Sequence, residues 1–175
     1  MQDDHDIHVD IPIAQVKSQR VIAFDRYWRS KLVSDRLPGR ADIDPGEMKP
    51  FLPGLLLVDI TLEPLRVFYR LCGTEVARLR GELTGYYLDE WPHWTDQEKL
   101  ALTLDYRCAI FERRAFFSWD RVRLQSGSWR YFYSGIWPLS SDGTIVDKCV
   151  AYEDYVGIDP AAVQRPSRPG SISTH

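Results

Sequence analysis

Residues 128–139, Ser-Trp-Arg-Tyr-Phe-Tyr-Ser-Gly-Ile-Trp-Pro-Leu, constrain the fold more than any other stretch of the chain. Side chains alternate along a strand. That puts Trp129, Tyr131, Tyr133 and Trp137 on one face and Phe132 and Ile136 on the other. A sheet with one wetted face shows polar residues there. Here both faces are substantially apolar, so the sheet needs a cover on each side. The stretch 20–34 is the natural second cover, from this chain or from another copy of it. It places Val21, Phe24, Trp28 and Leu32 at helical spacing and keeps Asp25, Arg26, Arg29 and Lys31 largely off that stripe.

The remaining elements follow from local signals. Asp44-Pro45-Gly46-Glu47 combines an N-cap, a first-turn proline and a capping-box glutamate, and starts a short helix that Pro53-Gly54 ends. Residues 55–61 and 66–71 read as a hairpin split by Glu63-Pro64. A short helix over 73–80 is closed by Gly81. Thr95-x-x-Glu98 opens the longest helix, which runs to Arg114 with Leu100, Leu104, Cys108 and Phe111 on its apolar face. Strand-like runs at 115–124, 128–139 and 144–155 are separated by turn residues and read as an antiparallel meander. The order implies an α+β fold, a five-stranded antiparallel sheet with helices on one face and an N-terminal amphipathic helix.

Composition sets the outer limits. At 175 residues with 44% hydrophobic and 27% charged, the chain suits one globular domain. Residues 1–19 read as a flexible lead-in, 20–157 as the domain and 158–175 as a flexible tail. The net charge of -3 does not suggest a nucleic-acid partner. Cys72, Cys108 and Cys149 form no CxxC pair and no even framework, so a reduced, cytoplasmic protein is expected. No stretch reaches the roughly 18 apolar residues of a membrane span, and the first ten residues are acidic where a signal peptide would be basic and then apolar.

Several segments together resemble the PAS sensory fold, and more narrowly a family of small, stand-alone bacterial PAS-like proteins. They are Tyr27-Trp28; Leu37-Pro38-Gly39-Arg40-Ala41-Asp42-Ile43-Asp44-Pro45 with Met48, Phe51 and Leu52-Pro53; Tyr69-Arg70-Leu71-Cys72-Gly73-Thr74; Leu83-Thr84-Gly85; and Trp137-Pro138-Leu139-Ser140-Ser141-Asp142-Gly143. The resemblance implies two leading strands, short helices, one long helix and three closing strands, which is the order read above. It implies a sensory or regulatory role. Each segment also has a plain structural reading: Gly73 where strand turns to helix, Thr74 as a cap, Gly85 as a bend, and Arg40-Ala41-Asp42 as an exposed approach to a capping box.

Chemistry is sparse. No nucleophile elbow, metal-ligand pair or phosphate loop is present, and Asp89 and Glu90 read as solvated or capping carboxylates. Of the four histidines, His5, His8 and His175 lie in the tails, and His93 reads as a loop imidazole. No catalytic or metal-binding residue and no cofactor is therefore expected. The candidate ligand wall between the long helix and the sheet is Tyr69, Leu71, Trp91, Leu104, Cys108, Phe111, Trp119 and Tyr133. That space is either filled by these rings or open to a small apolar ligand, two outcomes the same composition serves. Val21, Phe24, Trp28 and Leu32 are the candidate interface of a homodimer formed through the N-terminal helix and the outer sheet face. Three functions stand: a sensory module with a ligand or a signalling partner, a ligand-free interaction module, and a small α+β enzyme, which would need an inward-facing His and carboxylate pair.

Overall fold

The computed structural model describes residues 10–123 and 126–157. Helix α1 spans Gln19–Ser30, α2 Pro45–Met48, α3 Thr74–Arg80 and α4 Asp96–Phe111. The strands are β1 Leu55–Leu62, β2 Leu65–Cys72, β3 Phe116–Arg123, β4 Trp129–Leu139 and β5 Lys148–Asp154. They form one antiparallel sheet in the order β2-β1-β5-β4-β3. The α+β architecture read from the sequence is the one observed.

Capping explains where the helices begin. Ser18 Oγ accepts from the Val21 amide at 3.0 Å, and Asp44 Oδ1 accepts from the Gly46 amide at 2.7 Å. In α4, Thr95 Oγ1 accepts from the Glu98 amide at 3.2 Å while Glu98 Oε2 accepts from the Thr95 amide at 2.7 Å. Each side chain satisfies a donor that the helix leaves unpaired. Three boundaries fall short of expectation: α1 stops at Ser30 rather than residue 34, α4 stops at Phe111 rather than Arg114, and β5 begins at Lys148 rather than residue 144. At α3 it is Gly73 rather than Thr74 that occupies the cap position, without a side-chain bond. Gly73 is required by proximity, because a Cβ there would lie 2.4 Å from the carbonyl oxygens of Leu52 and Pro53.

One face of the sheet is covered by α1. Phe24 packs 4.4 Å from Trp137 and 6.3 Å from Tyr152, ring centre to ring centre. Trp28 Nε1 donates to the Pro138 carbonyl and Trp137 Nε1 to Asp25 Oδ1, both at 3.0 Å. The expected interface therefore needs correction: Val21, Phe24 and Trp28 are 0%, 0% and 2% exposed in the chain's own core, with Leu32 partly buried against it. The cover comes from the same chain because the connection to α2, residues 31–44, lets α1 fold back onto β4 and β5. The domain also begins before residue 20. Ile11 and Val16 are buried, and the Ile11 amide donates to the Phe117 carbonyl at 2.9 Å. The expected tail at 158–175 lies outside the described residues.

Helices α3 and α4 cover the other face. None of the helices among the described residues is long and apolar enough to cross a membrane.

Candidate functional site on the inner face

Strand register assembles this face. Ser118 pairs with Ser134, which pairs with Glu153; one rung away, Phe116, Ile136 and Ala151 align, and Asp120 lies opposite Phe132. Alternation sends all of these toward α3 and α4. Leu56, Tyr69, Leu83, Trp94 and the α4 residues Leu102, Asp105 and Tyr106 close the space above them. What they enclose is a cleft of about 30 Å³, room for about two waters.

Arg80, on the last turn of α3, reaches into the cleft. Its Nε donates to Tyr155 Oη at 2.7 Å and lies 3.1 Å from Glu153 Oε2, while Nη2 lies 3.2 Å from Asp120 Oδ2. Tyr155 Oη donates to Glu153, and the guanidinium stacks over Phe132 at 4.9 Å. The Arg80, Asp120 and Glu153 side chains are 15%, 14% and 10% exposed. Burial acts against the Arg80 charge, but attraction to Glu153, Tyr155 and Asp120 outweighs it and holds the guanidinium well above its ordinary pKa. Burial likewise pushes the Tyr155, Tyr69 and Tyr106 phenols up, so all three stay protonated donors. Ser118 Oγ and Ser134 Oγ stand 2.7 Å apart.

Arg80 owes its position to Gly81. That residue ends α3 at φ 101°, where a Cβ would lie 2.7 Å from the Trp91 ring. The chain can then turn back into the loop that carries Leu83, Trp91 and Trp94.

Of the expected ligand wall, Tyr69 lines the cleft and Trp91 is buried one layer behind it, 6.3 Å from Trp94. The other six do not. Leu71 is 39% exposed because a register shift near Leu57 leaves Arg70 as an extra residue on β2, so Tyr69 and Leu71 lose their common face. Trp119 and Tyr133 pair with each other on the α1 side of the sheet, opposite the cleft. Leu104 and Phe111 are exposed, and Cys108 sits half-buried at the helix edge beside Glu112 and Arg114. The face of α4 that packs inward is Asp105, Tyr106, Ala109 and Ile110.

Sequence reasoning missed Arg80, Asp120, Glu153 and the serine pair. A signal was available: Glu153 interrupts the apolar run Cys149-Val150-Ala151-Tyr152 at a position of inward parity. Asp120 and Glu153 are inward carboxylates, yet both are bound to one guanidinium, and among the residues lining the cleft no histidine joins them to make the His and carboxylate pair an enzyme would need. His93 stands against Trp91 at 5.2 Å, away from the cleft lining. Among the described residues no group of three His, Cys, Asp or Glu side chains could hold a metal ion. The Arg40-Ala41-Asp42 run lines a separate open groove at the surface, between the loop after α1 and the turn at 140–143.

A family model described as PAS domain matches residues 16–105, just over half of the chain. No curated protein matches. One similar solved structure is described as an RNA-binding Light-Oxygen-Voltage receptor, at 18% identity and a TM-score of 0.41 over 67% of this chain. The match spans 35% of that receptor's chain, about a third of its length. With its family match and its five-stranded sheet covered on both faces by helices, the chain belongs to the PAS domain family and is a sensory or regulatory module in general terms.

Proposed function

We propose that this PAS domain is a regulatory module whose inner face is organised by its own buried ion network and has no room for a large prosthetic group. A small molecule taken there is polar and able to exchange hydrogen bonds with Arg80, Asp120 and Glu153. This departs from the apolar ligand expected from the ring-rich sequence. The observation that carries the reading is the Arg80-Asp120-Glu153-Tyr155 network around a cleft of about 30 Å³. A flavin or haem would need several hundred Å³ and would strand two carboxylates in an apolar surrounding. The output is then a change in protein contacts made by the outer surfaces.

The test is native mass spectrometry and absorption of the purified chain, followed by thermal shift against a panel of small polar molecules, flavins and haem. The expected result is an intact mass of 20.3 kDa, no visible absorbance, and stabilisation only by molecules of a few heavy atoms that lose their effect in Glu153→Gln. Copurification of a stoichiometric flavin, haem or lipid refutes the reading.

A further inference from the structure

Helix α4 carries apolar side chains on two faces. Its inward face is Asp105, Tyr106, Ala109 and Ile110. Its outward face carries Leu100, Leu104 and Phe111, which are 60%, 53% and 57% exposed. Asp96, Leu100, Leu104, Arg107 and Phe111 follow one another at steps of four, four, three and four residues, so they form one straight seam. The seam is about 22 Å long at the helical rise per residue. Scattered exposed leucines need no explanation, but three large apolar side chains aligned on the outside of the longest helix mark an interaction surface.

We propose that the occupant of this seam is α4 of a second copy, packed antiparallel. Charge placement selects both the partner and the direction. The seam begins with the Asp96 carboxylate in the first turn and carries the Arg107 guanidinium at the start of its fourth, stacked at 5.1 Å over Phe111. The midpoint of the seam falls beside Leu104. With two seams in full antiparallel overlap, Leu104 meets Leu104 of the second copy and Leu100 lies along the stem of its Arg107. Each Arg107 then lies level with the opposite Leu100, about 6 Å along the axis from the opposite Asp96, an offset that the long arginine side chain can reach across. The two helix dipoles also oppose. A parallel arrangement would instead set Arg107 against Arg107 and Asp96 against Asp96. A helix pair of this length buries less than the roughly 1,600 Å² of a standard interface, so the dimer should be reversible. This interface is independent of the inner-face reading, and it differs from the one expected at α1, whose apolar stripe is already buried on the chain's own sheet.

Sedimentation equilibrium of the full chain from micromolar to submillimolar concentration tests it, with circular dichroism melts to confirm folding. A reversible monomer–dimer equilibrium is expected, abolished by Leu104→Asp, whose position is exposed enough to accept a carboxylate without loss of fold. Asp96→Arg or Arg107→Glu alone should weaken the dimer at least tenfold, and the two together should recover it. A chain that stays monomeric at the highest concentration overturns the proposal. So does a dimer indifferent to Leu104→Asp, which would place the interface elsewhere, as on Trp119 and Tyr131. If the full chain is monomeric and the chain lacking residues 1–9 dimerises, the N-terminal segment occupies the seam and the proposal fails.

Discussion

Replacing Arg80 by Met tests the buried network most directly. Met keeps the length and the apolar stem of the side chain but removes the only cation among the residues lining the cleft. Asp120 and Glu153, 14% and 10% exposed, are then left facing one another across it. The Tyr155 hydroxyl keeps its bond to Glu153 but loses its contact with the guanidinium. Removing one partner of a buried ion pair costs about 3–5 kcal/mol, because the remaining charge is uncompensated in a poorly solvated place. For a domain of this size 1 kcal/mol moves the melting midpoint by roughly 2–4 °C, so the loss should be near 10 °C at neutral pH. Thermal and urea melts monitored by circular dichroism would read it. The double variant Arg80→Met with Glu153→Leu should recover part of the stability, because one of the two stranded charges is gone. A loss under about 1 kcal/mol for Arg80→Met, the magnitude of a surface ion pair, would show that the network is solvated and would remove the basis for a polar inner face.

Other consequences are equally open to measurement. Gly73→Ala puts a methyl group 2.4 Å from two backbone carbonyl oxygens; overpacking against a backbone that cannot yield should cost about 3 kcal/mol in chemical denaturation, and a loss within error would refute the close approach. Trp137→Phe removes the donor to Asp25 Oδ1 and leaves that buried carboxylate with Arg29 alone, so a loss of about 2 kcal/mol is expected from equilibrium unfolding. Thr95→Ala deletes half of the capping box of α4 and should cost about 1 kcal/mol in the same assay. Burial pushes the Cys72 and Cys108 thiols up to about 11. Thiolate is then scarce at neutral pH, and alkylation of the folded protein should still be accelerating above pH 10; a plateau near pH 9 would contradict that environment.

Most of the architecture is legible in the residues. The Asp44-Pro45-Gly46-Glu47 and Thr95-x-x-Glu98 signals start helices where the structure has them, because capping is a local bargain between a side chain and the next turn's amides. The two-sided apolar character of the stretch 128–139 correctly demands a second cover, and α1 supplies it. The inner site was far less legible. An apolar stripe on α4 is expected to face the core, but Leu104 and Phe111 turn outward while Asp105 goes in. Local periodicity scores only the hydrophobic gain of burial and is blind to an ion network that makes a polar inward face acceptable. The extra residue at Arg70 reverses the parity of β2 near its end, and nothing in Tyr69-Arg70-Leu71 announces it.

What the sequence determines by itself is the set and order of elements and the requirement that the sheet be covered twice. Those follow from interactions between residues near one another in the chain: capping, turn chemistry and alternation. Only the tertiary structure decides which chain supplies the cover, which face of α4 points inward, and that Arg80, Asp120, Glu153 and Tyr155 meet. Arg80 and Glu153 are 73 residues apart, on different elements. Their contact depends on strand register and on the orientation of α3 after Gly73, quantities set by the packing of the whole sheet against its helices rather than by any local run of residues.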